Sequence, residues 1–464
     1  MAVGRWLKST TTNVTPLGAL VIISTIIVVL VSGSRRVACF TLIAGAILVT
    51  QGQGVNIAGF SFFSTRILEV AAVCRILVRG EYSIGKATSV DKMMLVVYGY
   101  SVVVFCLRTS EGVVNHVAVC MDCVLAYGIF RCLVRGFEDL RWLLRAMPLL
   151  LVPYALMVLI ERHSGVSLWS GMGGQEITAG WTRGDKLRCQ GSFRHPSLLG
   201  SLGASMFPLY VAMFWTRDDR KQMWLGIAAS VALVWASNSG GPASFAGIGV
   251  VGWLMWRIRT KMRFVRRGLV ALFIALAVTM KAPVWYVLER VSDVTGGDGW
   301  HRSELIDLAI QNLGHWWLWG LNLSSTADWF PYMLASGEAD ICDQFVMLGL
   351  NAGIVCVALF VVLLVVLFKQ VGRTLAEVRE HPQRHPPYAE YFVWGLGVML
   401  AGHIFNWFGI TYFDQMNFIW SLQLAAIVSV CAEVRSREGA ADPEEIPEAV
   451  GIPDPRAQPH GFAP

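Results

Sequence analysis

The feature that most constrains this chain is a series of long apolar runs nearly free of Asp, Glu, Lys and Arg. About 20 such residues cross the hydrocarbon core of a bilayer as a helix. Inside lipid, only helices and closed barrels satisfy every backbone N–H and C=O. The runs fall at about 17–32, 37–50, 60–78, 92–107, 116–133, 144–161, 197–215, 222–237, 241–256, 268–285, 345–368, 391–410 and 412–432. They predict an all-α polytopic membrane protein of about 12 to 13 transmembrane helices, with a large loop before the last three spans. Charged residues make up 15% of the 464, against about 25% in soluble domains. That balance excludes an ordinary cytosolic, secreted or disordered protein. The run from Leu17 to Val31 is long enough to stay as a span, and no cleavable signal peptide is expected. The third run carries Arg66, Glu69 and Arg75, a pattern that suits a tilted or interfacial helix.

Lysine and arginine in short loops set orientation. Four basic loops fall on one side, which is expected to be cytoplasmic. They hold Arg135, Arg141 and Arg145; Arg217, Arg220 and Lys221; Arg257, Arg259, Lys261, Arg263, Arg266 and Arg267; and Lys369, Arg373, Arg379 and Arg384. The polytopic domain covers 1–434, and the Pro-, Glu- and Ala-rich stretch 435–464 reads as a disordered cytoplasmic tail. Two longer loops, at about 163–195 and 286–344, fall on the outer side. The first 80 residues conflict with the rule: thirteen spans put Arg5 and Lys8 outside, whereas twelve put Arg35 and Arg36 there.

The ten cysteines form no framework. Most lie in or beside apolar runs and read as small hydrophobes. Cys120 and Cys123 have a CxxC spacing with no second pair or histidine cluster to complete a zinc site. Cys189 and Cys342, in polar loops, could pair if both face an oxidising compartment.

The first outer loop breaks the charge rule. It holds Arg183, Lys186, Arg188, Arg194 and His195, opposed by Glu176 and Asp185. Outward-facing arginines can hold phosphate bidentately, or they can simply be solvated or touch lipid headgroups. The stretch Arg188-Cys-Gln-Gly-Ser-Phe-Arg-His-Pro-Ser-Leu-Leu-Gly200 leads straight into a span, with Pro196 suited to its first turn. A helix start at the membrane surface offers free N–H groups and a positive dipole end.

This segment resembles the R-x-x-G-x-F-x-x-P-N-x-x-(A/G) signature of the O-antigen ligase and O-antigen polymerase superfamily. Arg188, Gly191, Phe193, Pro196 and Gly200 match, and Ser197 replaces the usual Asn. The turn 236–246, with Ser239, is similar to the family's serine turn between two spans, without its arginine. The helix from Trp300 to Ala309, followed by Trp319-Gly-Leu, looks like the family's arginine helix and glycine turn, and Arg302 holds the arginine position. At the loop's end the family histidine is replaced by Cys342, with Asp343 on the following Asn. The resemblance covers about 190–430 in order and spacing.

The resemblance implies a metal-independent glycosyltransferase of polysaccharide biosynthesis in the cell envelope, lipopolysaccharide assembly included, without a cofactor. It would act in a bacterial inner (cytoplasmic) membrane with its active face periplasmic or extracellular. Its partners would be an undecaprenyl-diphosphate-linked glycan and a lipid or glycan acceptor, and nucleic acid is not expected. Ligase and polymerase remain equally open. A diphosphate leaving group needs cations that stabilise growing negative charge, and the acceptor hydroxyl benefits from a general base. Position by position, the resemblance makes Arg188 and Arg302 phosphate-binding and catalytic residues, with Arg194 and His195 beside them. Asp343 is the nearest carboxylate for the base, kept ionised by any lysine or arginine close by, and His195, His301 and His315 are alternatives. Asp343 could equally cap the helix that begins near Gln344.

Within the spans, His403 and Asn406 share a helix face and read as helix-to-helix hydrogen bonders. Asp122 invites pairing with Arg131 or a neighbouring helix. Trp316, Trp317, Trp319, Trp329, Phe330 and Tyr332 read as an amphipathic surface resting on the membrane, with sugar stacking as the other use. Two further classes stay open: a transporter or flippase of a lipid-linked glycan, and a non-catalytic relative that binds one.

Overall fold

The computed structural model describes residues 14–57, 60–82, 87–173, 182–183, 186–216, 220–290, 299–330 and 339–441. The expectations for Arg5, Lys8, Glu176, Asp185, Arg217, Tyr332 and residues 442–464 fall outside the described residues. The helices are α1 (Pro16–Val31), α2 (Arg35–Leu48), α3 (Ser64–Arg79), α4 (Ser89–Arg108), α5 (Val113–Leu133), α6 (Phe137–Ser164), α7 (Pro196–Phe214) and α8 (Arg220–Ser237). They continue as α9 (Gly240–Leu254), α10 (Met262–Thr279), α11 (Gly299–Gln311), α12 (Leu313–Trp316), α13 (Gln344–Glu380), α14 (Ala389–Trp407) and α15 (Gln415–Ala441). Two short hairpins, β1 (Gly54–Ile57) with β2 (Phe60–Phe63) and β3 (Thr182–Arg183) with β4 (Lys186–Leu187), lie in loops. Every expected span has its helix. The chain is an all-α polytopic membrane protein.

Six of the described helices are individually long and apolar enough to cross a membrane, or up to seven if the sharply bent stretch Gly240–Thr279 with Val284–Arg290 counts as one. The first three helices run between two ends of the bundle. Arg35 and Arg36 both pair with Asp139, at 2.5 and 2.6 Å, beside Arg135. At the other end Thr15 N–H donates to Gln53 at 2.8 Å, and Thr50 donates to the Met172 carbonyl. The first three helices therefore each run from one end of the bundle to the other. The remaining basic loops gather at the same end as Arg35: Arg259 and Arg379 both bridge Glu390, and Arg437 donates to the Arg384 carbonyl. We call this the basic end and the opposite one the loop end.

The charges of α3 do not lay it on the surface. Arg66 grips Asp122 of α5 with two hydrogen bonds of 2.8 and 2.5 Å. Arg75, 1% exposed, pairs with Glu81 and donates to the Val29 and Ser32 carbonyls. Burying a charge is tolerated when its partner and hydrogen bonds come with it. Asp122 thus pairs with a neighbouring helix, while Arg131 takes Asp91 and the Ser429 hydroxyl.

Near the centre, α7 is buried on nearly every side and packs against α8, α9 and α14. Its Gly200, Ser201, Gly203, Ala204 and Ser205 let neighbours approach closely, as small residues do in membrane bundles. A Cβ at Gly203 would come 2.5 Å from the Ser230 carbonyl oxygen of α8. By contrast, α10 buries none of its residues.

The large loop builds a second, smaller core from Leu305, Ala309, Trp316, Phe330, Ile341 and Leu350. This corrects the reading of its aromatics as one membrane-resting surface. Of the residues in that reading, Trp316 and Phe330 are buried, whereas Trp317 and Trp319 stand exposed. The last helix runs to Ala441, past the expected start of the tail at 435, where Arg437 pairs with Glu433 one turn back.

Candidate functional site

The segment 186–195 is held against the loop end of α6. Arg162 donates to the Leu187 carbonyl at 2.9 Å, and the buried Glu161 carboxylate accepts from Gln190 N–H at 2.9 Å and Gly191 N–H at 3.3 Å. Gly191 has φ +57°, and a Cβ there would lie 2.5 Å from the Tyr154 hydroxyl oxygen. Both facts demand glycine. The same hydroxyl accepts from Ser192 N–H at 3.1 Å. Cys189 N–H donates to the Ala236 carbonyl, which binds the segment to the end of α8.

This scaffold fixes Arg188. Its guanidinium donates to the Ser239 hydroxyl at 3.0 Å and to that of Ser197 at 3.5 Å. The first two motifs of the sequence therefore meet in space. Gly200 has its own packing reason, since a Cβ there would lie 2.3 Å from the Ser237 hydroxyl.

His195 caps α7, its Nδ1 accepting from Ser197 N–H at 3.1 Å, with Pro196 at the first helical position. Its pKa is lowered to about 3, first by burial and then by the charges of Arg188, Arg302 and Arg183. His195 is therefore neutral at physiological pH. In that form it can offer a phosphate a hydrogen bond. The same electrostatics bring Arg302, from the large loop, into the neighbourhood of Arg188. The Arg302 guanidinium lies against Gly409, where a Cβ would stand 3.0 Å from Cζ.

Arg194 is committed elsewhere. Its Nε and Nη2 both donate to the Asp414 carboxylate, and its guanidinium stands over Phe413 at 5.6 Å. It anchors the hairpin between α14 and α15 rather than standing beside Arg188 as a phosphate donor. That hairpin also backs Arg302 through Gly409, and it holds the start of α13, with Thr411 donating to the Ile341 carbonyl and Tyr412 N–H to the Gln344 side chain.

Asp343 is the N-cap of α13. Oδ1 accepts from Phe345 N–H at 2.8 Å and Val346 N–H at 2.9 Å. The residue is 1% exposed, and Oδ2 is buried with no hydrogen-bond partner among the described residues. Burial pushes its pKa up to about 7, against the pull of the two backbone N–H groups. The expectation that a basic neighbour keeps Asp343 ionised is corrected: no ion pair to it occurs among the described residues, and Arg302 bears instead on Cys342. The Cys342 thiol is pushed up to about 12, mainly by burial. Cys189 and Cys342 are both unbridged.

Arg188, His195 and Arg302 are thus brought together, and Asp343 follows Cys342, on which Arg302 acts. His301 is buried on α11, and His315 packs on the Trp329 ring at 5.6 Å. Beneath the site His403 bonds Tyr412 at 2.8 Å and Gln423 at 2.7 Å, and Asn406 donates to Ser201 at 2.7 Å. These are the interhelical hydrogen bonds expected of them. Sequence reasoning missed Glu161, Tyr154 and Gly409 as supports. Only Glu161 left a signal, as a carboxylate within a span. Among the described residues, the one close trio of metal-ligating side chains is Glu377, Glu380 and His381, at the basic end.

Compared with protein-family models and with curated proteins, the chain matches none.

Proposed function

We propose that this protein transfers a glycan from an undecaprenyl-diphosphate carrier to an acceptor hydroxyl at the outer face of a bacterial inner membrane. The observation that carries the reading is the joint action of Arg188 and Arg302, from two sequence-distant loops, on the buried neutral His195. Arginines held together at one end of the bundle suit a diphosphate. In this reading the acceptor oxygen attacks the anomeric carbon as the bond from that carbon to the diphosphate oxygen breaks. The bonding pair leaves on the diphosphate, where the two guanidiniums stabilise it. Asp343, with a pKa near neutrality, takes the hydroxyl proton on its unoccupied Oδ2.

A second reading has its own support. Oδ1 of Asp343 is fully used in capping α13, as in a binder of the lipid diphosphate that performs no transfer. One experiment separates the two. Purified protein is given undecaprenyl-diphosphate glycan and a panel of acceptors. Product that disappears in folded Arg188→Ala and Arg302→Ala supports transfer. Retained donor binding without product from any acceptor supports the binder.

A further inference from the structure

The loop end also holds a polar cavity beside Arg108. Helix α13 is broken at Ala352 and Gly353, which leave helical geometry. The backbone of the large loop docks into the break, with Leu321 N–H donating to the Leu350 carbonyl and Ile354 N–H to the Trp317 carbonyl, both at 2.7 Å. Arg108, the last residue of α4, seals the joint. One guanidinium nitrogen, Nη1, donates to the carbonyls of Leu350, Asn351 and Trp319 at 2.7, 3.2 and 3.2 Å. Gly320, at φ +76°, leaves the room: a Cβ there would lie 2.5 Å from that nitrogen.

The guanidinium also lies over the Phe105 ring, its Cζ 4.7 Å from the ring centroid. Its Nε is buried without a hydrogen-bond partner, and Arg108 has no ion pair among the described residues. Beside it lies a cavity of about 440 Å³ lined by Trp317, Trp319, His315, Asn322 and Ser325, with no carboxylate among the described residues of its wall. A guanidinium held rigid by one arm, with no acid to neutralise it, is a ready partner for an anion. The apolar surroundings say where the anion comes from. Trp317 and Trp319 are about half exposed, and Val103 and Leu107, on the same helix as Arg108, are exposed apolar residues of a span. Tryptophan beside an apolar belt marks the level of lipid headgroups.

We propose that this cavity binds the phosphate of a membrane lipid headgroup, with Arg108 as the charge partner and Trp317 and Trp319 against the glycerol and upper acyl region. The inference does not depend on the glycan-transfer reading, since none of its residues belongs to the Arg188–Arg302 site.

The test uses the full-length protein in detergent. Native mass spectrometry measures binding of phosphatidylglycerol and of dioleoylglycerol, which lacks the phosphate. Phosphatidylglycerol is expected to bind at least tenfold more tightly than dioleoylglycerol, and Arg108→Gln to lose about tenfold or more of that affinity, the loss typical of one charged hydrogen bond. Arg108 also braces the α13 break, so the exposed double variant Trp317→Ala, Trp319→Ala is measured beside it, with an unchanged melting temperature and a clear loss of phosphatidylglycerol expected. Equal binding of the two lipids, or full affinity in either folded variant, overturns the proposal. Displacement of phosphatidylglycerol by millimolar inorganic phosphate overturns the lipid as the source.

Discussion

Arg188 donates to the hydroxyl of Ser239 at 3.0 Å, and this contact joins the first outer loop to the turn between α8 and α9. Ser239 stands at the N-cap of α9, yet its side chain makes no capping bond to that helix. The hydroxyl serves the arginine, and it donates in turn to the Ser237 carbonyl. Ser239→Ala should therefore leave the melting temperature nearly unchanged. It should weaken binding of a lipid diphosphate by about three- to tenfold, the worth of one ordinary hydrogen bond. Calorimetry together with a donor-binding assay checks both halves.

Gly191 should tolerate no side chain. Gly191→Ala places a Cβ in the left-handed region, at a cost of about 1–2 kcal/mol, and drives it onto the Tyr154 hydroxyl. A stability loss of about 2 kcal/mol or more is expected. Tyr154→Phe removes the oxygen that the new Cβ meets. The double variant should therefore be less destabilised than the sum of the two single variants, as read by denaturant or thermal unfolding in one detergent.

The pH dependence turns on Asp343. Its carboxyl is raised from the ordinary 3.8 to about 7, so the folded state holds the proton longer than the unfolded chain does. Stability is therefore greatest below about pH 4 as far as this group is concerned, and it falls as pH rises toward 7. Asp343→Asn should flatten that slope in the melting temperature. If Asp343 is the base, turnover should rise with pH through about 7, and Asn at this position should abolish turnover with donor binding nearly intact. His195, lowered from 6.5 to about 3, should contribute no step to turnover between pH 5 and 9, while its own linkage makes stability rise with pH from about 3 to 6.5.

Much of this arrangement was legible before any coordinates. Each apolar run marked a helix, because lipid permits the backbone few alternatives. The pairing of basic loops at one end followed from their charge. What escaped were relations between distant segments. Nothing local to Arg66 reveals Asp122, 56 residues along the chain, as its partner, and an unpaired Arg66 is what makes α3 look interfacial. Arg194 and Arg188 look equivalent along the chain, and only the approach of Asp414 separates an anchor from a phosphate candidate. The tryptophans of the large loop divide into core and surface through a fold that has no simple period.

The most direct test of the central claim is a double-mutant cycle on donor binding. Undecaprenyl diphosphate affinity is measured for the wild type, Arg188→Ala, Arg302→Ala and the double variant, each shown to be folded. Two arginines that hold one diphosphate should be coupled, with the double variant losing less than the product of the single losses, by about fivefold or more. Losses that simply multiply, or single variants that bind as the wild type does, would contradict the account.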